Sequence, residues 1–146
     1  MRHFPRFAAL VSLVVVVGCS DPQPPIGHWQ GAYEDTGLII VARLQIDSAR
    51  QVRVSAPNAV TDAAPLSDDE RAQLRMRLES GLAASWPSVG PLPLEFDGRA
   101  FHKPGGVAPQ LEWDRAANRM TLIFYSGNRR SVRVPLDPVA DFDSPA

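Results

Sequence analysis

Apolar residues that recur at every second position constrain this chain more than any other feature. Leu38, Ile40, Ala42, Leu44 and Ile46 alternate with Ile39, Val41, Arg43 and Gln45. That spacing gives a half-buried strand with one apolar face and a second face that turns polar toward its end. Asp47-Ser48-Ala49-Arg50 supplies a turn, and Val52, Val54 and Ala56 resume the alternation to complete a hairpin. Upstream, Trp29, Gly31 and Tyr33 share one face against His28, Gln30 and Ala32. Downstream, Leu92, Leu94 and Phe96 lead into Asp97-Gly98, a two-residue hairpin signal, and Arg99 to Lys103 returns. Leu111 and Trp113, then Met120, Leu122 and Phe124, then Val132, Val134 and Leu136 continue the pattern, joined by short polar turns. Strands joined in this way pair antiparallel.

One stretch breaks the period. Ser67-Asp68-Asp69-Glu70 has the form of a capping box, followed by Leu74, Leu78 and Leu82 at helical spacing, and Trp86-Pro87 closes the segment. The three acids belong to the cap, where they meet the positive end of the helix dipole, and are not read as a metal or catalytic cluster. The expectation is about eight strands with a helix over 67–86 inserted after the third. This is a mainly antiparallel β fold of the α+β class, a strongly curved sheet or small β-barrel, with the leucine stripe covering one face or plugging one end. Residues 28–136 form the single domain, with a loop through Pro57, Asn58, Asp62 and Pro65 before the helix. The last ten residues, 137–146, carry three aspartates and two prolines and read as an acidic flexible tail in which Phe142 is the one anchor. The Gly27-His28-Trp29 opening is similar to the first strand of lipocalins and of other small barrels, a resemblance limited to general shape. It implies that the tryptophan closes one end of the barrel.

Ahead of the domain, Arg2 and Arg6 precede an apolar run from Phe7 to Val17, the layout of a secretory signal. The run is too short to span a bilayer, which takes roughly 20 apolar residues. It ends in Val16-Val17-Gly18-Cys19, and Cys19 is the only cysteine in the chain. This stretch resembles the lipobox of bacterial lipoproteins. The resemblance implies that residues 1–18 are a removed signal peptide and that Cys19 carries a covalent lipid. It also implies that the protein is anchored in the cell envelope. Ser20 after the cysteine points by the same resemblance to the outer membrane, facing the periplasm. Residues 19–27 then form the lipidated cysteine and a proline-rich spacer, which would hold the domain roughly 20 Å from the bilayer if fully extended. Loss of Arg2 and Arg6 moves the formal balance from −1 to −3, and a chain without basic excess is not a nucleic-acid binder.

The chemistry-bearing residues are few. His28 and His102 lack the close spacing of zinc ligands, no metal or cofactor beyond the covalent lipid is expected, and no nucleophile elbow, phosphate loop or dinucleotide fingerprint is present. No residue is assigned as catalytic. Lys103 to Pro109, with Gly105 and Gly106 at its centre, is unsuited to regular structure and is a candidate recognition loop, as is the turn holding Asn128, Arg129 and Arg130. Trp29, Tyr33, Trp113 and Phe124 are candidates to line an apolar pocket. The leading expectation is a non-enzymatic binding module whose loops engage a protein partner in the envelope, an enzyme or a toxin. A carrier of a small apolar or acyl ligand is the first alternative. A hydrolase that pairs His28 or His102 with a carboxylate in a cleft is the second.

Overall fold

A computed structural model describes residues 22–61, 65–125 and 131–142. Four strands precede the helix: β1 (Gly27–Glu34), β2 (Leu38–Ser48), β3 (Gln51–Ser55) and β4 (Asn58–Val60). The helix α1 spans Asp68–Ser85 and runs into a short 3-10 turn at Trp86–Ser88. Six strands follow: β5 (Leu92–Pro93), β6 (Glu95–Phe96), β7 (Ala100–His102), β8 (Pro109–Asp114), β9 (Arg119–Tyr125) and β10 (Ser131–Val139). All described pairings are antiparallel, in the order β5-β3-β2-β1-β10-β9-β8-β7-β6, with β4 beside β2. The mainly antiparallel, curved sheet with one inserted helix is therefore the fold, as the alternation predicts.

Two devices bring the sheet nearly to closure. Strand β10 changes partner along its length, pairing with β9 over Ser131–Leu136 and with β1 over Asp137–Val139. Each half therefore leaves one edge free, which accommodates Pro135 and Pro138 although neither can donate to a ladder. Where the strand crosses from one partner to the other, Gly31 of β1 meets its backbone: a Cβ there would lie 2.0 Å from the Pro135 carbonyl oxygen. Only glycine fits. On the other side, β5 and β6 are separated by Leu94 alone, yet β5 pairs with β3 and β6 with β7, so one short segment joins both edges of the sheet. The Phe96 amide donates to the Ala49 carbonyl at 3.1 Å and narrows the remaining gap.

The inward face follows the alternation. Ile40, Ala42, Leu44, Ile46, Val52, Phe101, Leu111, Met120, Leu122, Val134 and Leu136 form one buried cluster with Trp29 and Leu94. The helix does not plug an end. Leu82 packs on Val41, on the outward face of β2, together with Trp86 and Phe142, while Leu78 is half-buried against the same cluster. The capping box forms as the spacing predicts: Ser67 Oγ accepts from the Glu70 amide at 3.3 Å, and Glu70 Oε2 accepts from the Ser67 amide at 2.8 Å. That amide holds the Glu70 carboxyl below the ordinary glutamate range.

Four expectations are corrected. The stretch after Pro57 is strand β4, because β3 covers β2 only as far as Arg43 and Asn58–Val60 pairs with the part left open, Leu38–Ile40. The helix thus follows the fourth of the ten strands among the described residues. The expected tail begins as strand, over Asp137–Val139, while Phe142 docks, as its place in the sequence allows, edge-on to Trp86 and His28 with centroids 4.8 and 4.9 Å away. At the β6–β7 turn, Asp97 is not a central residue. Its amide donates to the Ala100 carbonyl at 3.0 Å, so Gly98 (φ +102) and Arg99 occupy the centre. The spacer is not wholly free either, since Pro25 is buried and a Cβ on Gly98 would lie 3.1 Å from Cβ of Pro22.

Candidate functional site

The connections sort to two ends of the barrel. One end holds the entering segment before Gly27, the β2–β3 turn, the β6–β7 turn, the turn after Asp114 and the chain after Val139. The opposite end holds the β1–β2 turn, residues 103–108 between β7 and β8, and the connection from Tyr125 to Ser131. Both recognition loops picked from the sequence therefore leave the barrel at one end. Asn128, Arg129 and Arg130 lie outside the described residues, as does Cys19. Tyr125 and Ser131, the described residues on either side of that connection, pair with each other.

Local chemistry shapes the other loop. The Gly106 amide donates to the Lys103 carbonyl at 2.8 Å, with Pro104 and Gly105 central and Gly105 at φ +71. Proline followed by a positive-φ glycine is what a type II turn requires. Beyond it Val107 is 93 % exposed, large for an apolar side chain with no covering neighbour. Tyr125, 52 % exposed, donates its hydroxyl to the Pro109 carbonyl at 2.8 Å. This bond ties the end of β9, one residue before the second loop, to the base of the first. Sequence reading did not single out Tyr125, although an aromatic at the outward last position of a strand is the signal that would have found it.

Between the two ends, the outer face of β7–β10 is an open groove of about 980 Å³. Its walls include Asp97, Arg99, His102, Glu112, Trp113 and Arg133. Glu112 and Arg133 stand two strands apart and form an ion pair across β9. Asp97 organises one end: its Oδ1 accepts from the amides of Arg99 and Ala100, both at 2.8 Å, and its Oδ2 lies 2.8 Å from His102 Nε2. The amides of Ala100 and Arg99, and then His102, hold the Asp97 carboxyl below the ordinary aspartate range. A histidine beside a carboxylate in a cleft is the geometry the hydrolase alternative asks for. Proton transfer, however, also needs a ring nitrogen that reaches substrate. Nε2 faces Asp97, and Nδ1 is buried without a partner among the described residues. The pair as it stands braces the β6–β7 turn. His28 packs on Phe142 instead.

The four aromatic residues proposed to line a pocket are not brought to one cavity. Trp29 is part of the buried core, paired opposite Leu44 and Pro138, with its ring reaching back toward Gly27 at the end where the chain enters. Tyr33 and Phe124 pack on that core half-buried, and the Tyr33 hydroxyl donates to Asp35 at 2.9 Å. Trp113 alone lines the groove, with the Arg115 guanidinium 5.0 Å above its ring. A smaller cleft of about 340 Å³ lies between α1 and the sheet, beside Arg43, Arg75, Glu79 and Phe142. Among the described residues, no group of three His, Cys, Asp or Glu side chains could hold a metal ion, and no helix is long and apolar enough to cross a membrane. Comparison with protein-family models, with curated proteins and with solved structures gives no match.

Proposed function

We propose that this protein is a lipid-anchored binding module of the bacterial cell envelope that engages a protein partner without catalysing a reaction, from the outer membrane facing the periplasm. The observation that carries the proposal is the hydroxyl of Tyr125 on the Pro109 carbonyl, which ties the strand end before one connection to the base of the other. Val107 and Tyr125 offer exposed apolar area there, and Lys103 adds a cation. Aromatic and apolar anchors with a polar rim are what protein interfaces use. The surface also lies at the end of the barrel remote from residue 22, so a tether entering through Pro22 leaves it facing away from the bilayer.

The test uses the lipidated full chain in detergent, with partners recovered from the native envelope and identified by mass. Combined substitution of Lys103→Glu, Val107→Ser and Arg129→Glu is expected to remove the recovered partner and leave the folded domain intact. Partner recovery unchanged by these three substitutions contradicts the proposal. Loss of recovery on changing Trp113 or Phe124 alone, with acyl chains bound to the wild type, would favour the carrier alternative.

A further inference from the structure

Deepening the anchor reading, on which it rests, we infer that the proline segment is a docked strap. It holds the barrel end-on against the phospholipid surface, with the β6–β7 turn facing the bilayer. Three observations carry this inference. Pro22 sits directly on Gly98, and Pro25 is buried, so the chain is committed to the barrel from residue 22 onward. Only three peptide steps separate Pro22 from Cys19, a reach of roughly 11 Å even when fully extended. A free spacer running to Ile26 spans seven steps and would reach more than twice as far. The lipid-bearing residue cannot then stand far from the β6–β7 turn.

The third observation is what that end presents. Ile26 is 60 % exposed beside the strap, and Arg50, Arg99 and Arg115 are exposed on the three neighbouring turns. At the same end Asp137 pairs with Arg119 at 2.9 Å, Asp141 is exposed, and three further carboxylates accept hydrogen bonds from the chain. Asp47 accepts from Gln45 at 2.7 Å, Asp114 from the Ala117 amide at 3.1 Å, and Asp97 from its turn amides and His102. Guanidinium groups bind phosphate oxygens in a bidentate fork, so the exposed Arg50 and Arg99 match the headgroup phosphates of the bilayer in which the Cys19 lipid inserts.

The experiment exploits the single native cysteine, which the lipid occupies, so that a second, introduced cysteine takes a nitroxide label alone. Lipidated chains carrying Arg99→Cys or Val107→Cys are placed in phosphatidylethanolamine–phosphatidylglycerol vesicles, and collision with a water-soluble nickel chelate is measured. The expected result is a loss of collision at position 99 and none at position 107. The added pair Pro22→Ser and Pro25→Ser should restore collision at position 99. Equal collision at both positions in an acylated chain overturns the orientation, and protection at 99 that survives the two serines overturns the strap. Intact mass separates these from failure of the anchor itself. A chain without acyl mass overturns the anchor reading and the orientation with it.

Discussion

Over β1–β3 the outer face of the barrel is largely covered, apart from the small cleft beside Arg43 and Arg75, whereas over β8–β10 it stays in solvent. On the covered side, Leu82, Trp86 and Phe142 close over Val41, and two arginines pin the cover from the sheet. Arg53 donates to the carbonyls of Val89 and Trp86, each at 2.9 Å, with its guanidinium 4.9 Å from the Trp86 ring. Arg43 stacks over Phe142 at the same distance. On the open side, the strands carry Glu112 and Arg133, 39 % and 52 % exposed, and no element of the described residues packs on them. Charged and aromatic groups thus do opposite work on the two faces. On the covered face half-buried arginines hold elements together, and in the groove Glu112 and Arg133 stay exposed and pair with each other.

The comparison can be broken most forcefully where the two faces meet. Gly31→Ala forces a Cβ into the β10 backbone, which cannot give way as a flexible side chain would. It should lower stability by about 3 kcal/mol or more, as severe overpacking does, read as a shift in urea midpoint. On the covered face, Trp86→Ala should cost about 3 kcal/mol, as expected for a buried tryptophan, and release Phe142 with it. Increased proteolysis after Val139 would report that release. On the open face, Glu112→Ala or Arg133→Ala should cost less than about 1 kcal/mol, because solvent already screens the pair. A cost equal to that of Trp86→Ala would mean that the groove is a structural element and not a free surface.

Acid adds a smaller, graded effect. Asp97, Glu70 and Asp35 all lie below their ordinary ranges because backbone amides donate to their ionised forms. A depressed folded pKa contributes stability that is present above the unfolded value and is lost as pH falls through the folded one. Stability should therefore hold at neutral pH and decline progressively below about pH 4, where unfolded carboxylates begin to take up protons. Asp97→Asn should flatten part of that decline, measured as urea midpoints across the acid range.

What the sequence discloses divides along the same line. The inward face was legible because each strand repeats its own pattern: Leu38 to Ile46, Met120 to Phe124 and Val132 to Leu136 all place the residues that alternation assigns to the core. The capping box was legible because its four residues are contiguous. Groups that meet only after closure were not. Arg133 reaches Glu112 from two strands away, and Phe142 reaches His28 from the far end of the chain. Leu94 sits in what reads as one strand, yet its two sides pair with opposite edges of the sheet. The Asp97–His102 contact lay within reach of sequence, since the hairpin register sets both residues on one side of a two-residue turn. The Asp97-Gly98 pair, taken as a turn signal, speaks only to backbone preference. Composition alone marks residues 103–109 as a loop, but the tie from its base to the end of β9 runs through Tyr125, whose partner no local pattern names.

The most direct test of a working surface at the loop end of the barrel, away from the helix-covered side, is photocrosslinking in the native envelope. A photoreactive residue is placed at Val107 or at Met76, the latter 65 % exposed on the outward side of α1. Crosslinks to one partner from Val107 and none from Met76 are the predicted result. Crosslinks from Met76 with none from Val107 would mean that the helix-covered side is the working surface, and would contradict the account.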